Sequence, residues 1–173
     1  MKESWVFALP TEREIVVYSD EVEDYVSRFI SEEWAAKLVD NTNVAIKSWE
    51  TDAPENMTSF YPPLIKEHKP DGWRGGDILS AKIGGEGSRR GVYLQIRWRD
   101  DVWSNIENLT TQHISIGTTA NYIDSRGRKF DTIIKELSLT EDPRLKDIGT
   151  IQDTISLKLA DTINKKEEET TVS

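Results

Sequence analysis

The stretch DILSAKIGGEGSRRGVYLQIRWRD, residues 77–100, decides the fold prediction. Two apolar segments, 77–85 and 91–100, flank a glycine-rich connection, which is typical of a β-hairpin. In the second segment apolar and polar side chains alternate, with Val92, Leu94, Ile96 and Trp98 set against Tyr93, Gln95, Arg97 and Arg99. Because successive side chains on a strand point to opposite faces, this alternation predicts one buried and one solvated face.

The segments before this hairpin predict a strand, a helix, and a region of strands joined by long loops. EIVVYS, residues 14–19, is typical of a strand. Asp20 is a candidate cap for a helix that runs to about residue 39, with an apolar face made of Val22, Tyr25, Val26, Phe29 and Ile30. Residues 40–77 alternate short apolar pieces with Pro, Gly, Asn and Asp, which favours strands joined by loops.

The segments after the hairpin predict a short helix, two strands and a second helix. Asp100 is the expected cap of the short helix, which has an apolar side made of Val102, Ile106 and Leu109. Strands are predicted at 111–118 and 129–140, and Pro143 follows the second of them. Residues 147–163 predict a helix, because apolar side chains recur every four residues at Ile151, Ile155, Leu159 and Ile163.

Together these elements predict an α+β protein with a mainly antiparallel β-sheet or barrel core and peripheral helices. We expect a single domain over residues 1–163. The remaining segment NKKEEETTVS, residues 164–173, is polar and charged, so we expect it to be disordered.

The composition narrows the class of protein. A chain of 173 residues is long enough for one domain with a substantial core. The formal net charge of −9 disfavours binding to the phosphates of nucleic acid. With no cysteine and two histidines, a zinc site is not expected, and the sequence indicates no other cofactor. No apolar run reaches the length of a membrane span, so no membrane partner is expected.

The segment HISIG, residues 113–117, places a histidine and a serine two positions apart on a predicted strand. His113, Ser115 and Gly117 therefore share one face of that strand. Histidine is the usual side chain for taking a proton from serine near neutral pH, so this segment is a candidate nucleophile site.

A carboxylate is predicted on the same sheet face. If Ser125 and Arg126 form the tip of the next hairpin, the pairing puts Ser115 opposite Glu136, with neighbouring Cβ atoms. A serine, a carboxylate and a histidine from elsewhere in the chain form a nucleophile, orienter and base. The histidine from elsewhere is His68, in PPLIKEHKPDGW.

Each of these residues also has an ordinary structural interpretation, which is the default when the residues are taken alone. His68 lies between prolines and charged residues, as exposed side chains often do, and His113 is compatible with a half-buried strand position. Strand serines such as Ser115 are common, and Glu136 is compatible with a pairing to Lys or Arg on the solvated face.

The order of short motifs resembles that of the prohead (capsid maturation) serine proteases of tailed phages, in particular the bacteriophage Mu protease–scaffold family. The motifs are EHKPDGW (67–73), VYLQIRWRDDVWSNI (92–106), HISIG (113–117) and ELSLTEDPRL (136–145). The family has a histidine before Gly-Trp, an apolar strand ending near a Trp, a short helix, a strand with the serine, and a closing SLT..P segment. The similarity spans roughly residues 60–145 and implies the fold that these proteases share with the herpesvirus assemblins.

Carried over residue by residue, the resemblance implies that Ser115 is the nucleophile, His68 the general base and Glu136 the third member. Arg144 falls where assemblins carry an arginine that stabilises the oxyanion. His113 is the alternative third member. We expect one ring nitrogen of His68 within hydrogen-bond reach of Glu136, roughly 2.6–3.2 Å, and the other facing Ser115.

The function implied is that of a serine endopeptidase that cleaves phage scaffold and major capsid proteins, and its own chain, inside the assembling prohead in the host cytoplasm. A homo-oligomer is compatible with this function. The alternative is a catalytically silent scaffold or capsid-interaction domain on the same fold. A ligand-binding β-domain that uses the six tryptophans is disfavoured, because several lie in apolar patterns typical of a core, namely Trp34, Trp98 and Trp103.

Overall fold

The computed structural model describes residues 2–19, 21–52, 61–69, 72–108, 112–123, 127–141 and 143. Over these residues the protein is a mixed α+β structure with a core made mostly of β-sheet, as predicted. The strands are β1 (Lys2–Pro10), β2 (Arg13–Ser19), β3 (Asp24–Ile30), β4 (Pro63–Lys66), β5 (Gly76–Gly84), β6 (Gly91–Trp98), β7 (His113–Ile123) and β8 (Lys129–Thr140). The helices are α1 (Glu32–Asp52) and α2 (Asp100–Ser104), with short 3-10 turns at Gly87–Arg89 and Ile106–Asn108.

Six strands form one sheet in the order β1-β6-β5-β4-β8-β7, and β2 pairs with β3 in a separate hairpin. Neighbouring strands of the large sheet are antiparallel except β4 and β8, which run parallel. β1 and β7 end the hydrogen-bonded order yet contact each other, so the sheet curls around an apolar interior. The parallel pair brings the end of β4 beside the second half of β8, and this proximity positions the site described below.

The hairpin predicted over residues 77–100 is confirmed. β5 and β6 pair in antiparallel fashion up to Gly84 and Gly91, with a 3-10 turn at the tip. The side chains predicted to face the core have no exposed surface, namely Val92, Leu94, Ile96 and Trp98. The period-2 pattern of a half-buried strand was therefore a sufficient signal here.

Tyr93 departs from the predicted alternation because it is buried as well. Its ring packs against Phe7 with 5.3 Å between centroids, and its hydroxyl donates a hydrogen bond to the Arg89 carbonyl at 2.5 Å. Burial raises the pKa of Tyr93 to about 12, although the charges of Arg89 and Arg90 act in the opposite direction.

The helix predicted from Asp20 to about residue 39 is wrong in position. Residues 24–30 form β3, which pairs with β2 along its whole length, and Asp20 lies outside the described residues. The β-branched and aromatic side chains of this segment favour a pleated strand. The helix begins at Glu32, where the Ser31 hydroxyl accepts a hydrogen bond from the Trp34 N–H at 3.1 Å and so caps the first turn.

The prediction of strands joined by loops over residues 40–77 is wrong for its first part, because α1 continues to Asp52. A stripe of buried side chains at helical spacing packs α1 against β5, β6 and β8 and consists of Ala35, Leu38, Val39, Thr42, Ala45 and Ile46. Polar residues lie between these buried positions, so the helical periodicity of the segment was not recognised in the sequence. Trp34 was expected in the core but is 36% exposed, whereas Trp98 is buried and Trp103 packs partly against the core.

The short helix α2 begins one residue earlier than predicted. Arg99 occupies its cap position without a capping hydrogen bond from its side chain, and Asp100 is the first helical residue. Val102 is buried as expected. Leu109, the predicted helix at 147–163 and the predicted tail at 164–173 lie outside the described residues. Over the part of the chain that the structure describes, no helix is long and apolar enough to cross a membrane.

Candidate active site

Ser115 and Glu136 lie on the β7–β8 hairpin, in a different register from the predicted one. Ser115 pairs with Ser138, and Glu136 pairs with Gly117, so the predicted pairing of Ser115 with Glu136 is wrong. The partner of Ser115 is shifted by two positions, which equals the side-chain period of a strand. Ser115 and Glu136 therefore still project from the same face of the sheet.

Two features account for this shift. The pair nearest the tip is Ile123 with Lys129, so the connection is longer than the assumed two-residue turn. Further along the ladder, a bulge between Gly117 and Thr118 leaves Lys135 as an extra residue in β8. Each feature moves the pairing by one position.

The loop after β4 presents His68 to this face. β4 runs parallel to β8 and pairs Lys66 with Leu139, so the chain leaves the sheet beside the site. Glu67 and His68 both have positive φ, 50° and 56°. Such backbone costs of order 1–3 kcal/mol per residue and persists where surrounding contacts hold it. Here Glu67 N–H donates to the Leu139 carbonyl and His68 N–H donates to Ser138 Oγ, both at 3.0 Å.

The three predicted catalytic side chains meet. His68 Nδ1 lies 2.6 Å from Glu136 Oε1, and His68 Nε2 lies 3.1 Å from Ser115 Oγ. In a neutral imidazole, a proton on Nδ1 donates to the Glu136 carboxylate, which only accepts, and Nε2 is left to accept from the serine hydroxyl. The predicted contacts of His68 with Glu136 and Ser115 are confirmed, and they suit the tautomer that a general base requires.

Ser138 is a member of this network that the sequence analysis did not assign a role. Its hydroxyl donates to Glu136 Oε2 at 2.8 Å and accepts from the His68 N–H. Ser138 has no exposed surface, and Glu136 is 5% exposed. Ser138 lies two residues after Glu136 on β8, and this spacing indicates from the sequence that the two side chains share a face. The partner it needs, the backbone of His68, is 70 residues away in the chain.

Gly117 makes room for the carboxylate. A Cβ atom added to Gly117 would overlap Glu136 Oε1 and crowd its Cδ and Cγ. The Glu136 carboxylate is therefore bounded by Gly117 on one side and bonded to Ser138 and His68 on the other. This role of Gly117, four residues after His113, could not have been assigned from the sequence, because the register of β7 and β8 was needed first.

His113 does not take the third position. It begins β7, is half-buried and pairs with Thr140. Both ring nitrogens of His68 are occupied by Glu136 and Ser115, so the geometry favours Glu136 over His113 as the orienter. Arg144, for which the resemblance implies an oxyanion role, lies outside the described residues.

Aromatic and ionic contacts fix the far end of the loop between β4 and β5. The Trp73 ring lies 4.3 Å from Lys66 Nζ and 5.1 Å from the Arg99 guanidinium carbon. Arg99 also bonds Asp101 at 2.6 Å, and this hydrogen bond raises the pKa of Arg99 and lowers that of Asp101. Because the ion pair is exposed, its contribution to stability is small. The stacking on Trp73 restrains the loop.

A cleft of about 690 Å³ opens beside the His68–Glu136 pair. Its walls are mainly apolar, and they include Leu9, Val17, Ile30, Ile65 and Ile116. Arg28 and Lys135 line the same cleft. A volume of this size accommodates several side chains of an extended peptide.

Ser115 itself is fully buried, with 0% exposed surface. Its hydroxyl faces His68, and Ser115 is not among the residues that line the cleft. A carbonyl group can therefore reach Ser115 Oγ only after a movement that opens a path from the cleft to the serine.

Comparison of the chain with protein-family models, with curated proteins and with solved structures found no match.

Proposed function

We propose that this protein is a serine endopeptidase in which Ser115 is the nucleophile, His68 the general base and Glu136 the orienting acid. The observation that carries the proposal is the pair of contacts made by one imidazole, 2.6 Å to a buried carboxylate and 3.1 Å to a serine hydroxyl. A serine hydroxyl is a weak nucleophile unless a base removes its proton during attack. His68 is the proposed base, because its Nε2 lies next to the serine hydroxyl and its Nδ1 is bonded to the carboxylate that orients the ring.

The reaction proceeds through an acyl-enzyme. Ser115 Oγ attacks the peptide carbonyl carbon while its proton passes to His68 Nε2, and Glu136 stabilises the imidazolium that forms. The tetrahedral intermediate collapses with transfer of that proton to the leaving amine nitrogen. Water then attacks the ester, again with His68 as base, and releases the carboxylic acid and free Ser115.

The substrates we propose are the scaffold and major capsid proteins of a tailed phage, and the chain itself, cleaved inside the assembling prohead in the host cytoplasm. This part of the proposal is based on the resemblance of the motifs, and so are the assemblin-like fold, the oxyanion role of Arg144 and a homo-oligomer. Two features are compatible with it. The cleft suits an extended peptide, and the curled sheet carries the serine on an outer strand.

The second candidate is a catalytically silent scaffold or capsid-interaction domain on the same fold. The complete burial of Ser115 favours this candidate, because an active nucleophile must be reached by its substrate. The two candidates differ in one property. In an endopeptidase the path to Ser115 opens under native conditions, and in a silent domain it stays closed.

A fluorophosphonate probe distinguishes them, because Ser115 Oγ would displace fluoride from phosphorus and become covalently labelled. We expect the native protein to be labelled at Ser115 alone, and Ser115→Ala to be unlabelled and fully folded. Ser80→Ala, which removes a partly buried serine hydroxyl bonded to Gln95, is the matched control and should label like the wild type. Incubation with the scaffold protein and mass spectrometry of the fragments tests the substrate. Absence of labelling in the folded wild type would favour the silent domain.

A further inference from the structure

We propose that Ser138 is a positioning residue that holds the general base and the orienting acid in a fixed relation. This inference deepens the proposed function and rests on it. Ser138 contacts both partners with one oxygen atom, donating to Glu136 Oε2 at 2.8 Å and accepting from the His68 backbone N–H at 3.0 Å. Ser138 lies directly opposite Ser115 on the β7–β8 ladder, and its two hydrogen bonds go to His68 and Glu136, so its effect is exerted through those two residues.

The direction of the two bonds follows from the chemistry of the groups. A serine hydroxyl has one proton and two lone pairs. The Glu136 carboxylate accepts and the His68 N–H donates, so the hydroxyl proton points to Glu136 and a lone pair points to His68. Since Ser138 has no exposed surface, water does not compete for either bond. A buried hydroxyl bonded at both ends is restricted to one orientation.

The bond to the His68 backbone matters because that backbone is strained. His68 has a φ of 56° directly after Glu67 at 50°, and non-glycine residues adopt this conformation at a cost. Ser138 Oγ supplies the hydrogen bond for the N–H of the strained residue. Without the Ser138 hydroxyl, the His68 N–H loses its partner. We then expect the strained backbone to relax away from β8 and to displace the imidazole.

The bond to Glu136 fixes the other half of the pair. Oε1 is bonded to His68 Nδ1, and it occupies the space that a side chain at position 117 would take. Ser138 holds Oε2, so the carboxylate cannot rotate about its terminal bond without breaking a buried hydrogen bond. One residue thus restricts the backbone of the base and the side chain of the acid.

The kinetic test compares Ser138→Ala with Ser138→Thr and Ser4→Ala. We expect Ser138→Ala to lower kcat about 10- to 100-fold with little change in KM, because misplacement of the base slows the chemical step. Ser138→Thr keeps the hydroxyl and should recover much of kcat. Ser4→Ala is the matched control, because it removes another buried strand serine, on β1, whose hydroxyl accepts a 2.8 Å hydrogen bond from Trp98 Nε1. It should keep wild-type kcat.

A second readout does not require turnover. The proton between His68 Nδ1 and Glu136 should give a downfield ¹H resonance in ¹⁵N-histidine-labelled protein, and with two histidines in the chain it is assigned by its loss in His68→Gln. In Ser138→Ala this resonance should shift or exchange faster with water, and in Ser4→Ala it should stay unchanged. The resonance can also be compared with and without Ser138→Ala in a chain that carries Ser115→Ala, because this readout does not require the nucleophile.

These readouts separate failure of this inference from failure of the proposed function. If no peptide is cleaved by the wild type but the resonance responds to Ser138→Ala, the positioning role stands and the endopeptidase proposal falls. If Ser138→Ala keeps wild-type kcat, or lowers it without any change in the resonance, the positioning role is wrong. An equal loss of kcat in Ser4→Ala would likewise overturn it, since the effect would then be one of general stability.

Discussion

Gly117 lies directly opposite Glu136 across the β7–β8 ladder, and the space of its missing side chain is occupied by the Glu136 carboxylate. The relation is steric: an added Cβ would overlap Oε1, so a larger residue at position 117 would require the Glu136 carboxylate to move. The position of the Glu136 carboxylate thus depends on the absence of a side chain at position 117.

If the proposed function is correct, Gly117→Ala should therefore remove most of the peptide hydrolysis by displacing Glu136 from His68. We expect kcat for peptide hydrolysis to fall at least about 100-fold, because misplacement by about 1 Å has that order of effect. Gly87→Ala is the control, since an added Cβ there meets nothing within 4 Å. Gly87 has a φ of 58°, so alanine should lower its thermal stability while kcat is kept. Wild-type kcat in Gly117→Ala would contradict the orienting role of Glu136.

Glu136→Gln should remove much of the activity, though less than Ser115→Ala does. The amide is close in shape to the carboxylate but neutral, so it neither stabilises the imidazolium nor enforces the Nδ1–H tautomer of His68. A kcat about 10⁴-fold lower is the order of effect expected for such a change. Steady-state kinetics on a peptide substrate measures it, with circular dichroism to confirm folding. Activity close to wild type would indicate that another group orients His68.

His68→Ala should be nearly as damaging as Ser115→Ala, and the double variant should be little worse than either single variant. Residues that act as one unit in the same step give non-additive losses. His113→Ala should be milder, because His113 pairs with Thr140 at the start of β7 and contributes neither contact to the His68 ring. The rates of all four proteins with one substrate test this. A larger loss for His113→Ala than for His68→Ala would show that the base is misassigned.

Tyr93 should make the fold sensitive to alkali. Burial raises the pKa of Tyr93 to about 12 from the model-compound value of 10.0, so the folded state keeps a proton that the unfolded state loses. This contribution to stability is fully present below pH 10 and is lost as the pH rises towards 12. The denaturation midpoint should fall over this interval in the wild type and fall less in Tyr93→Phe. Equal slopes in the two proteins would contradict the assignment.

The sequence by itself determined the elements whose pattern is local. The alternation from Val92 to Trp98 is set by the two faces of a strand, and the glycine-rich tip before it marks the turn, so the β5–β6 hairpin was predicted correctly. β2, β7 and β8 were found for the same reason. The start of α1 was missed because residues 24–30 carry apolar side chains that fit a helix face as well as a strand, and pairing with β2 decided between them.

The candidate site likewise has features that the sequence predicted and features that only the tertiary structure showed. The identities of Ser115, His68 and Glu136 could be proposed from motif order, and the shared face of Ser115 and Glu136 survived a wrong register because the error was two positions. The contacts of Ser138 and the space at Gly117 could not be predicted, since the first depends on the parallel pairing of β4 with β8 and the second on the bulge at Lys135. Sequence patterns record which way a side chain points along its own strand. The distance between side chains of different strands is fixed by register and by packing, which only the tertiary structure decides.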